Sequence, residues 1–100
     1  MFNSEVLSLL GLASRARKIS TGDTLLKNIR SKQVYLVLIA SDASENSKKK
    51  LIDKCLFYHV DYMVVSDIKH LSHAIGKDNR VGIGICEKGF ANKIKSKLGG

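Results

Sequence analysis

Seven consecutive apolar residues, VYLVLIA from Val34 to Ala40, form the longest such run in the chain and constrain its fold more than any other feature. The run is far too short to span a membrane, which needs about 20 apolar residues. It is rich in β-branched side chains and apolar at every position, the pattern of a strand covered on both faces. A strand of that kind requires helices above and below it, so the rest of the chain should supply them.

Helical periodicity appears on either side of the run. Val6, Leu9, Leu10, Ala13 and Ala16 predict a first helix over 4–16, with Asn3 or Ser4 as its cap. Thr21, Gly22 and Asp23 offer turn and cap chemistry before a second helix, whose buried side is Leu25, Leu26 and Ile29 and which ends near Ser31. After SDASEN, Leu51, Ile52, Cys55 and Leu56 mark a helix reaching Tyr58, with Lys48, Lys49, Lys50 and Lys54 mostly on its other side.

A second short strand follows at YMVVS, 62–66, and Asp67 can cap a helix carrying Ile68, Leu71 and Ile75 inward before Gly76 stops it. Val81, Ile83 and Ile85 alternate with Gly82 and Gly84 in a third strand whose glycines admit a close neighbour. Phe90, Ala91, Ile94 and Leu98 complete a final helix, and Ile19 in the KIS segment can add an edge strand. This alternation predicts an α/β protein, helices on both faces of a small sheet, in a single domain over 1–100.

Charge points to a class of partner. Seventeen Lys and Arg stand against nine Asp and Glu, a formal net charge of +8, and the pI near 9.7 suits a polyanionic ligand. The excess lies in the two terminal thirds, +4 over 1–32 and +4 over 67–100, while 33–66 is neutral. Such a split favours a basic face assembled from both ends of the chain.

Several chemistries find little support. The glycines of GIGICEKG lie inside a strand without GxGxxG spacing, and no GxxxxGK[ST] occurs, which disfavours dinucleotide binding and nucleotide hydrolysis. His70 and His73 share a helix face, but no Cys, Asp or Glu is spaced to complete a metal site. Asp42 with His59 or His70 can be combined on paper with a serine, but sequence supplies no geometry for a triad. Cys55 and Cys86 have no CxxC spacing and read as core thiols in a reducing cytoplasm. The N-terminal stretch lacks the features of a secretory signal. No catalysis, cofactor, small-molecule substrate or membrane association is expected.

Five stretches, LLGLASRARK, TGDTLLK, LVLIASDAS, HAIGKDNRV and KGFANKI, follow one another in this order across almost the whole chain. Together they resemble the bacterial YlxQ-type proteins of the kink-turn-binding ribosomal protein family, named for ribosomal protein L-seven-Ae. The resemblance implies a three-layer α/β/α sandwich around a mixed sheet of about four strands. It also implies a cytoplasmic, monomeric protein that binds kink-turn RNA, with ribosomal RNA or the ribosome as partner.

What it implies for individual residues is narrower. Asp23 and Thr24 stand where the family has an Asn-Glu pair that reads sheared G·A pairs, Gly22 precedes them, and Lys27 matches the family's lysine. Ile75, Gly76, Lys77, Asp78, Asn79 and Arg80 match the family's second contact, an apolar loop. Here the loop is polar at its tip, so Lys77 and Arg80 suit phosphate contact rather than packing on a bulged base. Arg15, Arg17 and Lys18 would extend the same basic face. The alternatives are a protein-interaction module on the same fold, or the RNA-binding part of an RNA-modifying assembly.

Overall fold

The apolar run becomes the middle of a sheet. A computed structural model describes residues 3–99; Met1, Phe2 and Gly100, the ends of the expected domain, lie outside the described residues. The elements run α1 (Ser4–Arg15), β1 (Ile19–Ser20), α2 (Gly22–Arg30), β2 (Leu36–Ala40), α3 (Glu45–Tyr58), β3 (Tyr62–Val65), α4 (Ile68–Ala74), β4 (Gly82–Ile85) and α5 (Lys88–Lys97). The strand order is β1-β4-β2-β3, with β2 parallel to β3 and antiparallel to β4, and β1 antiparallel to β4. All five residues of β2 are buried.

Alternation along β2 sorts the core into two halves. Leu36, Leu38 and Ala40 pack with α1, α4 and α5 through Val6, Leu10, Leu71, Ala91 and Ile94. Val37 and Ile39 point the other way and pack with α2 and α3 through Leu25, Ile29, Leu51 and Cys55. The same rule governs β4: Ile83 and Ile85 join the first cluster, and Gly82 and Gly84 face the second. A Cβ at Gly84 would come within 2.5 Å of Leu25 Cδ1, 2.8 Å of Ser20 Oγ and 3.1 Å of Val34 Cγ2. The glycines therefore bring α2 onto the strand, as their placement in the sequence suggested.

Helix starts follow cap chemistry. Asn3, Ser44, Asp67 and Glu87 each accept a backbone N–H from the first turn of α1, α3, α4 and α5. The His70 backbone N–H, then its ring, hold the Asp67 carboxyl below its ordinary range. This local pairing, 2.8 Å from His70 Nδ1 to Asp67 Oδ1, occupies one of the two histidines on that face.

Two strands are shorter than their apolar segments. Val34 is 4% exposed and belongs to the core, yet it lies outside β2, and Tyr35 is 48% exposed. Cys86 is only partly buried, with its thiol against Ser20 Oγ at 3.4 Å, so it lies at the margin of the core rather than within it. Cys55 is fully buried, and burial pushes its thiol up to about 11. At pH 8 only about a thousandth of such a thiol is thiolate. Iodoacetamide should spare Cys55 in the native protein and modify both cysteines once it is unfolded. Rapid native alkylation of Cys55, read by peptide mass, would contradict the packing of α3.

Candidate nucleic-acid interface

Strand directions decide which loops meet. β1, β2 and β3 point one way and β4 the other. The carboxyl ends of β1 and β2 therefore share an edge with the amino end of β4. That edge carries the starts of α2 and α3 and the loop from α4 into β4, the position where open α/β sheets commonly receive ligands.

A groove of about 250 Å³ opens there, lined by Gly22, Asp23, Leu26, Ser47, Lys50, Asn79 and Arg80 over a floor of Leu25, Leu51, Val81 and Gly82. The expected side-chain cap on α2 is absent: Thr21 is the N-cap residue and makes no side-chain cap hydrogen bond. Its extended backbone passes into Gly22 at φ +59, a left-handed conformation that favours glycine. A Cβ at Gly22 would meet nothing within 4 Å, so backbone conformation rather than space accounts for the residue. The first-turn N–H groups of α2 thus lack the side-chain oxygen that occupies the other four helix starts.

The loop from α4 is held from beneath. Ser72, 4% exposed, accepts the Arg80 backbone N–H at 2.8 Å and donates to the Arg80 carbonyl at 3.4 Å. Asn79 takes φ +52, which asparagine tolerates. Arg80 Nη1 donates to the Asp78 carbonyl at 3.1 Å. Its Nε is the one buried side-chain nitrogen or oxygen among the described residues with no hydrogen-bond partner. A buried donor without an acceptor has a reason to seek one from outside the protein.

Of the residues singled out from sequence, Gly22, Asp23 and Arg80 meet in the groove. Lys27 is exposed about 180° around α2 from the Leu25–Ile29 stripe, on the helix's outer face. Thr24 is exposed in the first turn and Lys77 in the loop. Arg15 lines a separate hollow beside Ile75 and Gly76. Ile75 is 5% exposed in the first core half, so its side chain is not presented to a ligand. Arg17 and Lys18 lie at the other end of β1, where the Lys18 carbonyl accepts from the Cys86 N–H at 2.7 Å.

Lys50 is the residue that sequence reasoning set aside. Read as part of a solvated Lys48–Lys50 face, it instead lines the groove opposite Gly22 and Asp23. Only the side-by-side packing of α2 and α3 puts it there. Lys49 does belong to a solvated face, with its Nζ 3.1 Å from Asp53 Oδ2.

The chain as a whole is similar to known proteins in both sequence and fold. The chain is 46% identical to the RNA-binding protein YlxQ of Bacillus subtilis (strain 168) over 99 residues, covering 98% of this chain and 99% of that protein. It is 39% identical to the RNA-binding protein YlxQ of Enterococcus faecium over 97 residues, 96% of this chain and 93% of that one. Among solved structures, a Bacillus halodurans protein of unknown function superposes with a TM-score of 0.91 at 42% identity, covering 98% of this chain and all of that one, 100%. The Giardia lamblia 15.5kD RNA binding protein shares the fold at a TM-score of 0.77 and 20% identity, covering 99% of this chain and 92% of the other. Residues 4–95 match the profile of a single family, and the chain belongs to it: the ribosomal protein L7Ae/L30e/S12e/Gadd45 family.

Proposed function

We propose that this protein binds kinked or sharply bent RNA, ribosomal RNA or ribosome-associated RNA in particular, through backbone and shape contacts with little base readout. The observation that carries the reading is the convergence of Arg80, Lys50 and the uncapped start of α2 on one groove at the edge of the sheet. A net charge of +8 and relatives named as RNA-binding proteins support it. Helix N–H groups and cations suit phosphate oxygens. Asp23, the only carboxylate lining the groove among the described residues, can accept from a base or a 2′-hydroxyl.

Each residue has a role in this reading. Arg80 and Lys50 grip phosphates from opposite walls, and Lys27 takes the backbone as it leaves over α2. Gly22 lets the RNA approach the helix start closely. Lys77 and Arg15 extend the positive field beside the loop. The protein acts as a cytoplasmic monomer and performs no chemistry on the RNA.

The test is affinity for a kink-turn against a straight duplex of the same composition. We expect the kink-turn to bind at least about tenfold tighter, because only a bent backbone meets both the α2 start and the loop at Arg80. Equal affinity would reduce the protein to a generic basic binder.

A further inference from the structure

Phe57 is 75% exposed, the most exposed large apolar side chain among the described residues. Its ring is propped edge-on against Tyr58, with centroids 4.8 Å apart and planes at 79°, and Tyr58 in turn packs against the second core half. An aromatic ring held in this way in water has lost conformational freedom without gaining burial.

Beside the ring on α3 are Lys54 at i−3 and Asp53 at i−4, the latter already paired with Lys49. Lys50, Lys54 and Phe57 fall at i, i+4 and i+7 on α3, which places them on one stripe of the helix. The stripe begins at the groove and reaches the ring after about 10 Å of helix. α2 runs beside α3 in the same direction: its start shares the groove with Lys50, and beyond its end Lys32 Nζ donates to the Tyr58 carbonyl at 2.9 Å. Lys27 and Arg30 are exposed on α2 and add two further charges along this layer. Of the three acids on α2 and α3, Asp23 sits at the groove end, Glu45 is paired with Lys48 and Asp53 with Lys49.

We propose that the outer face of the α2–α3 layer is a track for single-stranded RNA that flanks the bent element in the groove, with one unpaired base stacked on Phe57. This rests on the reading given above. The charge of the track calls for a polyanion, and an exposed ring at its end calls for a flat apolar partner; an unpaired nucleotide supplies both. The groove at one end and the ring at the other give the strand a direction of travel.

The experiment compares a blunt kink-turn RNA with the same RNA carrying a short single-stranded tail on one strand or the other. A tail on one strand should tighten binding by about tenfold, the order expected for one stacked base with its phosphate contacts. Phe57→Ala should abolish that gain and leave the blunt affinity unchanged, and Phe57→Trp should preserve it. Thermal melts check folding, which substitution of so exposed a side chain should not disturb. A tail that adds nothing, or a gain that survives Phe57→Ala, overturns the track while leaving the groove intact. Self-association that Phe57→Ala removes, with tail affinity unaltered, would assign the ring to a second copy of the chain and overturn it too. If the blunt RNA is not bound at all, the groove reading fails and the track with it.

Discussion

Gly84→Val should destabilise the protein by about 3 kcal/mol, a loss of roughly 12–24 °C in melting temperature for a chain of this size. The first added carbon already lies 2.5 Å from Leu25 Cδ1 and 3.1 Å from Val34 Cγ2. Leu25 can rotate, but Val34 is stiff about χ1 and buried at 4%. The second half of the core must therefore open between β4 and α2. Gly84→Ala should show a smaller loss, about 1–3 kcal/mol.

Gly22→Ala is the informative contrast. There the obstacle is a left-handed backbone rather than a neighbouring atom, so the loss should be about 1 kcal/mol. Urea denaturation of the three variants separates the two reasons for keeping glycine. A Gly84→Val protein as stable as the parent would show that α2 does not sit on β4 as described.

The second large effect should appear in RNA affinity. Lys50→Ala with Arg80→Ala should weaken kink-turn binding by about a hundredfold near 0.1 M salt, roughly 2.8 kcal/mol. It should also flatten the dependence of log affinity on log salt by about two units, one for each phosphate contact removed. Lys27→Ala should cost about one unit alone. Lys49→Ala, whose charge already faces Asp53, should change neither quantity.

Folding should survive these changes. Alanine keeps helix propensity high at positions 27 and 50, and the Ser72 bonds that hold the loop go to the backbone of residue 80. Equal losses for Lys49→Ala and the groove variants, at unchanged melting temperature, would mean that the face has been misplaced.

The core was legible because apolar pattern reports burial. The Val34–Ala40 run marked the middle strand, and the Ile/Gly alternation of 81–85 marked the strand against which a helix packs. The ends of both strands came out shorter because burial and ladder hydrogen bonding are separate properties: Val34 is core without being strand. Asn3 and Asp67 were recognisable as caps from their place before apolar periodicity. The same logic misjudged Thr21, since a hydroxyl before a helix caps only if its rotamer turns toward the first turn, and here it does not.

The groove was less legible than the core. Arg80 could be placed through the family resemblance, but Lys50 depends on which side of α3 meets α2, a tertiary fact that three consecutive lysines do not reveal. Ile75 carried two readings, inward-facing from helical periodicity and at the contact loop from the family resemblance, and the first describes its side chain. It stands next to a loop in sequence, yet the last turn of α4 carries its side chain inward.

Leu25, Leu51 and Gly82 are both groove floor and core. A Cβ at Gly82 would press on Leu51 at 2.7 Å and Leu25 at 3.4 Å, and the way out for those side chains is upward into the groove. An engineer seeking a hardier protein by replacing strand glycines with better β-formers would therefore be filling in the cleft itself. Packing and access to the cleft depend on the same glycine, so a bulkier residue at 82 should cost stability and narrow the groove together, and selection for survival at high temperature should keep Gly82 rather than replace it.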